Sequence, residues 1–162
     1  MDKLHEGILK ILAEDSRTPA AKLATALGAT EAAVTAALKA LEKSGALLKY
    51  TVVVNDEKLD KEYVEALIEV KVAPMKSRGF DAIAEDICAF CEVKSMYLMS
   101  GGYDLAVMVE GRTLKEVAMF VSEKLSSLDK VLSTATRFIL KKYKQGGVLM
   151  ENEGGKRLAF HV

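Results

Sequence analysis

The texture of this chain changes near residue 48, from a purely helical pattern to one in which strand and helix alternate. Up to that point Ala, Leu, Lys and Glu dominate, and β-branched residues are few. That mixture favours helix. Leu4, Ile8, Ile11 and Leu12 recur at helical spacing. Ser16-Arg17-Thr18-Pro19 then breaks the pattern. Thr18 suits an N-cap, and Pro19 suits the first helical position, where a missing N–H costs nothing. Leu23, Ala24 and Leu27 give a second helix its apolar face, and Gly28 ends it. Thr30 can cap a third helix, with Val34, Leu38 and Leu41 on one side and Gly45 as its stop. Helix, break, short helix, glycine turn and helix together describe a helix-turn-helix. Residues 47–54, Leu-Leu-Lys-Tyr-Thr-Val-Val-Val, are rich in strand formers and are expected to form a wing.

Beyond a polar linker at 55–62, strand and helix alternate. A strand is expected from Tyr63 to Ala73, stopped by Pro74, and a helix from Arg78 to Phe90. Glu92 to Ser100 alternates, with Val93, Ser95, Tyr97 and Met99 on one side. Gly101-Gly102 reads as a hairpin turn, and Tyr103 to Glu110 as the returning strand. Thr113 caps a helix holding Leu114, Val117, Val121 and Leu125, and Val131 to Lys141 is a last strand. The order β-α-β-β-α-β is the ferredoxin-like unit. The fold class is therefore α+β: a winged helix-turn-helix at 1–54, the linker, and a βαββαβ domain at 63–145. A tail follows at 146–162. Its apolar stretches Val148-Leu149-Met150 and Leu158-Ala159-Phe160 flank a turn at Asn152-Glu153-Gly154-Gly155, so a hairpin is expected there.

Charge narrows the function. The chain carries 23 basic and 23 acidic residues and has no formal net charge. The first 55 residues hold Lys3, Lys10, Arg17, Lys22, Lys39, Lys43 and Lys49 against Asp2, Glu6, Glu14, Asp15, Glu31 and Glu42. So small a basic excess argues against strong nonspecific binding to nucleic acid, which phosphate neutralisation dominates. No apolar run approaches the ~18 residues of a membrane span, and the charged start of the chain lacks the pattern of a secretion signal. A cytoplasmic protein is expected. Cys88-Ala89-Phe90-Cys91 could be a redox pair or half of a zinc site. Zinc needs two more ligands, and His5 and His161 lie at opposite ends. Packing as small hydrophobes is the favoured reading. No metal and no cofactor are called for.

Several segments resemble the Lrp/AsnC, or feast/famine, regulator family. They are Ile8-Leu9-Lys10-Ile11-Leu12, Arg17, Lys22-Leu23-Ala24, Thr30 and Val34. Leu41-Glu42-Lys43-Ser44-Gly45-Ala46-Leu47 resembles that family's LE-x-x-G-x-I close of the recognition helix. Ser100-Gly101-Gly102-Tyr103-Asp104 is similar to its T-G-x-[YF]-D hairpin, and Thr134-Ala135-Thr136-Arg137-Phe138-Ile139-Leu140 to its final strand. The resemblance implies an N-terminal domain that binds double-stranded DNA. It also implies a C-terminal domain that pairs its sheets across a homodimer, and rings of dimers, often octamers. An amino acid or related metabolite would bind between dimers.

One departure stands out. The family usually has arginine three residues after the recognition-helix valine, and here that residue is Ala37. Alanine can neither read guanine nor clamp phosphate. Thr30, Glu31, Thr35, Lys39, Lys43 and, from the wing, Lys49 are left as DNA contacts. For the effector, Ser100, Gly101, Gly102, Tyr103 and Asp104 are the candidates, with Tyr97, Thr134 and Thr136 lining the same cleft. Glycine lets a ligand approach the main chain, while Asp104 could take an ammonium or simply bond the turn. Two alternatives stay open. One is a ligand-binding relative with weakened DNA binding. The other is an enzyme resembling tetrapyrrole decarboxylases of this layout, against which the central region offers no histidine and no nucleophile–base pair.

Overall fold

The structure, a computed structural model, describes residues 2–59, 63–73 and 79–150. It forms two units, Met1–Val54 and Asn55–Val162.

The first unit is three helices: α1 (Lys3–Glu14), α2 (Ala20–Leu27) and α3 (Glu31–Lys43). Asp2 caps α1, accepting from the His5 N–H at 2.9 Å. Thr18 does not cap α2. Its hydroxyl donates to the Asp15 carbonyl at 2.9 Å, and Pro19 takes the cap position with an extended ψ of 157°. The Pro19 carbonyl receives the N–H groups of Lys22 and Leu23. Gly28 closes α2 in the left-handed region at φ 62°, and Thr30 caps α3 through the Ala33 N–H at 3.2 Å. Ile8, Leu12, Leu23, Ala24, Val34, Ala37 and Leu41 form the core. At Gly7 a β-carbon would lie 2.6 Å from Leu27 Cδ2, so α1 and α2 meet backbone to side chain.

Two expectations fail in this unit. Ala37 is only 6% exposed, on the same stripe as Val34 and Leu41. It is a packing residue, so the missing arginine removes nothing from the outer face of this helix. Nor do residues 47–54 form a strand: among the described residues this unit has none. A lone extended segment has no ladder to join, because nothing else in the unit offers a strand edge. Leu48 is 87% exposed, and Tyr50, Val52, Val53 and Val54 are exposed too.

The second unit opens with a 3₁₀ turn at Asp56–Lys58. Its main sheet contains β1 (Val64–Val72), β2 (Val93–Leu98), β3 (Leu105–Gly111) and β4 (Val131–Phe138), in the order β2-β3-β1-β4. All neighbours are antiparallel. Helix α4 (Asp81–Cys88) links β1 to β2, and α5 (Leu114–Met119) links β3 to β4. The cap of α5 is Thr113, as its sequence demands, and the helix continues into a wider π-helical turn at Phe120–Leu125. One sheet face carries Ala66, Ile68, Val70, Val72, Leu105, Val107 and Val109 against Ile83, Ile87, Val117, Phe120 and Leu125. The opposite face carries Glu65, Leu67, Glu69 and Lys71 of β1, the alternate set required by a period of two.

Strand β2 departs from simple alternation. Its register shifts between Val93 and Ser95, so Lys94 is the extra residue of a bulge. Val93 opposes Val109 and Met96 opposes Val107, both on the core side. Ser95 and Tyr97 therefore lie on the other face, and Val93 does not share a side with them. The cysteines also differ from expectation: Cys88 and Cys91 are free and exposed, because α4 turns Ile83 and Ile87 inward. Arg78 and Pro74 lie outside the described residues. A further hairpin, not foreseen, joins β5 (Lys144–Gln145) and β6 (Val148–Leu149) around Gly146 and Gly147, at φ 54° and 83°. Two consecutive left-handed residues suit a two-residue hairpin turn. The sequence turn at Asn152–Gly155 lies outside the described residues.

The burial of Ala37 is testable. Ala37→Arg should destabilise the chain by roughly 3 kcal/mol or more, because an unpaired charge must enter the helical core. Urea unfolding followed by helical circular dichroism measures it. A variant of unchanged stability would place α3 in the wrong rotation.

Candidate functional site

Helix α3 divides cleanly. With 3.6 residues per turn, Ala32, Ala36, Lys39 and Lys43 fall on one exposed stripe opposite Val34, Ala37 and Leu41, with exposed Thr35 beside it. Lys39 and Lys43 have no ion-pair partner among the described residues. The neighbouring Glu42 is engaged, accepting from the Tyr50 hydroxyl at 2.9 Å. Desolvation, then the Glu42 contact, pushes the Tyr50 phenol above its ordinary value. Ser16 anchors the same segment through the Thr51 carbonyl at 3.0 Å. Lys49 is exposed beside these anchors. Thr30 and Glu31 are exposed at the start of α3. The Thr30 oxygen accepts from Ala33, which leaves its hydroxyl proton to donate elsewhere. Two ammonium groups and hydroxyls on a face otherwise paved with methyls can hold phosphate and lie close against a groove.

The loop at 99–104 is longer than a two-residue turn. The Met99 N–H closes it on the Asp104 carbonyl at 2.8 Å. Of the two glycines only Gly101 has a positive φ, 151°. A β-carbon at either would meet nothing within 4 Å, so no described atom crowds the loop. The Asp104 side chain bonds not its own turn but β1. Its Oδ2 accepts from the Val72 N–H at 2.9 Å, while its N–H reaches the Val70 carbonyl at 3.0 Å. The Val72 N–H points to the β3 edge, one step beyond the last ladder pair, Val70 with Leu105, so no strand carbonyl meets it there. Ser100, Gly101 and Gly102 are exposed and Tyr103 half-buried.

The remaining predicted residues do not converge. Thr134 pairs with Val70 and Thr136 with Ile68, on the helix-covered face, and Thr134 Oγ1 lies 3.4 Å from Ser126 Oγ. Tyr97 pairs with Ala106 on the opposite face. Strand order separates them, because β2 and β4 are the two edges of the sheet, and the bulge at Lys94 adds a change of face. Thr134 does share a sheet end with the loop, through Val70.

Sequence reasoning missed the polar groups of the open sheet face. Arg137 grips Glu69 with Nε–Oε1 at 2.6 Å and Nη2–Oε2 at 3.1 Å. This guanidinium holds the Glu69 carboxyl below the ordinary glutamate value of 4.5. Lys142 reaches Glu65, Asp56 at 3.3 Å and the Tyr63 hydroxyl at 3.4 Å. They border a cavity of about 140 Å³, also lined by Asn55, Ile139 and Met150. A second cavity, of about 270 Å³, lies between β3 and the π-helical turn, with Glu92, Glu110, Val117 and Phe120 among its walls. Neither cavity is lined by the 99–104 loop. No group of three or more His, Cys, Asp or Glu able to hold a metal occurs among the described residues, and no described helix is long and apolar enough to cross a membrane.

Comparison with known proteins assigns both units. Residues 1–47 match a winged helix-turn-helix DNA-binding model, and residues 65–149 match the Lrp/AsnC ligand binding domain. The chain is 46% identical over 145 residues to an uncharacterized HTH-type transcriptional regulator, YugG, of Bacillus subtilis, covering 89% of this chain and 87% of that one. It is 33% identical to the HTH-type transcriptional regulator LrpA of Pyrococcus horikoshii, covering 89% and 99%. Among solved structures, the leucine response regulatory protein of Mycobacterium tuberculosis superimposes with a TM-score of 0.76 at 21% identity, covering 93% of this chain and 100% of that one. A transcriptional regulator of Neisseria meningitidis in complex with L-Met gives 0.69 at 24% identity, covering 90% and 93%.

Two substitutions test the geometry. Asp104→Ala leaves the Val72 N–H without its acceptor and should cost about 1–3 kcal/mol in chemical unfolding. Arg137→Gln should lower the melting temperature at neutral pH. Because Glu69 titrates lower in the folded chain, the pair's contribution is complete above pH 4.5 and disappears as pH falls through the depressed value. The gap in melting temperature between wild type and Arg137→Gln should therefore close as the pH drops below 4.5. A constant gap would show that the pair does not titrate as described.

Proposed function

The chain belongs to the Lrp/AsnC family of transcriptional regulators, and we propose that it binds operator DNA through α3 and responds to an amino acid or a closely related metabolite. It is a transcriptional regulator with a helix-turn-helix DNA-binding part and a Lrp/AsnC ligand-binding part. The observation that carries the DNA reading is the outer stripe of α3, with its two unpaired lysines. Lys39, Lys43 and Lys49 contact phosphate in this reading, Thr30 and Thr35 add hydroxyl contacts, and Glu31 sits where it can accept from a base amino group. The alanine methyls allow close approach and contact with thymine methyls. Each module is weak, because the unit is close to neutral. Several modules on one homo-oligomer, dimers joined into an assembly such as an octamer, supply the affinity by acting together. The cytoplasm is the compartment such a regulator needs.

For the effector, Ser100, Gly101, Gly102 and Tyr103 form the contact edge, Asp104 holds it in place, and Thr134 lies at the same end of the sheet. Asp104 thus acts first on the loop, and its remaining carboxylate oxygen is available to an ammonium group. Thr136 lies farther along β4, and Tyr97, next to the loop on β2, faces the other side of the sheet. The L-Met complex of the Neisseria regulator supports an amino acid as the ligand class. Neither of the two cavities above reaches the loop, whose exposed edge suits a site completed by a second copy. The near-neutral helical unit also favours a second reading, a ligand-binding assembly protein with little hold on DNA.

Fluorescence anisotropy with the chain's own promoter DNA at two salt concentrations separates the readings. Lys39→Ala and Lys43→Ala should each weaken binding across all sequences and lower the log–log salt slope by about 1. Absence of binding at low salt would leave the second reading. A thermal-shift series over the amino acids tests the sensor. A true effector at 100 times its Kd adds about 2.7 kcal/mol to the folded form. Gly102→Val should erase that shift while leaving the ligand-free melting temperature nearly unchanged, since a β-carbon there meets nothing within 4 Å.

A further inference from the structure

Neither DNA binding nor effector binding uses Cys88 and Cys91, and the packing role expected for them is absent. Both thiols are free and exposed. Cys88 is the last residue of α4. The Phe90 N–H turns back to the Ile87 carbonyl and the Val93 N–H to the Phe90 carbonyl, so the backbone between the thiols bends tightly. The two thiols are three residues apart across this bend, so a local change of the turn suffices to bring their α-carbons within the ~7 Å that a disulfide spans. Of the two residues between them, Phe90 points the other way. Its ring meets Phe120 edge-on at 5.5 Å, and the Lys124 ammonium lies 5.8 Å from its centre. The turn is thus anchored at its middle while both thiols face outward.

The geometry points to a dithiol exchange site at Cys88 and Cys91 whose co-substrate is a low-molecular-weight disulfide. One cysteine thiolate attacks a sulfur of the small disulfide, forming a mixed disulfide and releasing one small thiol. The second cysteine thiolate then attacks the protein sulfur of that mixed disulfide, forming the Cys88–Cys91 bond and releasing the second small thiol. Two protein S–H groups are oxidised, the small disulfide is reduced to two thiols, and no other oxidant is required. The bridge forms only if the turn tightens around its Phe90 anchor, so it is readily reversed, as exposed regulatory disulfides are.

The test exposes the full chain to glutathione disulfide and follows free thiols and intact mass. The expected result is loss of both titratable thiols and a mass lower by two hydrogens. Peptide mapping should join Cys88 to Cys91, and dithiothreitol should restore both thiols. Cys88→Ser and Cys91→Ser should each stop at a single glutathione adduct, which shows that the remaining thiol reacts. Three outcomes overturn the proposal: a wild-type chain that keeps both thiols, one that carries stable glutathione adducts without an internal bridge, and one that forms only chain-to-chain disulfides.

Discussion

Strand β1 carries the larger unit. It is hydrogen-bonded on both sides, to β3 and to β4, and one face of it is buried without exception from Ala66 to Val72. A nine-residue strand with its alternate residues buried admits a single register, because a slip of one place would turn Ala66, Ile68, Val70 and Val72 to the outer face. The places where β1 irregularly ends its pairing then decide what surrounds it. Past its last β3 partner, Leu105, the Val72 N–H is left without a strand carbonyl, and Asp104 meets it. The position of the loop at 99–104 follows from that one unpaired donor.

Much of this was legible in the sequence because it rests on period and on capping chemistry. The helices of the first unit, the Thr30 and Thr113 caps, the left-handed stop at Gly28 and the order of the βαββαβ unit all depend on neighbours within a few positions. What the sequence hid depends on contacts between distant residues. Nothing local marks Lys94 as a bulge, which turns Tyr97 to the other face, or puts β2 and β4 at opposite edges of the sheet, which separates Tyr97 from Thr134 and Thr136. The pairing of Lys142 with Asp56, Glu65 and Tyr63 spans 77 to 86 positions and has no local signature. The run at 47–54 has strand formers in abundance but no partner edge within its unit, and propensity without pairing does not make a sheet.

The two candidate surfaces differ in how they are held. The lysines of α3 are positioned by a packed helix and need no specific bond of their own. The loop at 99–104 is positioned by two hydrogen bonds from Asp104 and a closing bond from Met99, with no core residue inside it until Leu105. Rigidity in the first comes from burial, and in the second from a few polar contacts that water or a ligand can compete with. A surface that must only hold phosphate suits the former, and a surface that must register a small molecule suits the latter.

The burial of Ala37 has a consequence for how such a chain diversifies. Packing and contact are written on separate stripes of α3, with Val34, Ala37 and Leu41 on one and Ala32, Thr35, Ala36, Lys39 and Lys43 on the other. The outer alanines are good helix formers with nothing packed over them, so exchanging one for a longer polar residue disturbs no neighbour. Duplicated copies of this gene could therefore acquire new target sequences one substitution at a time, while the fold they inherit stays the same.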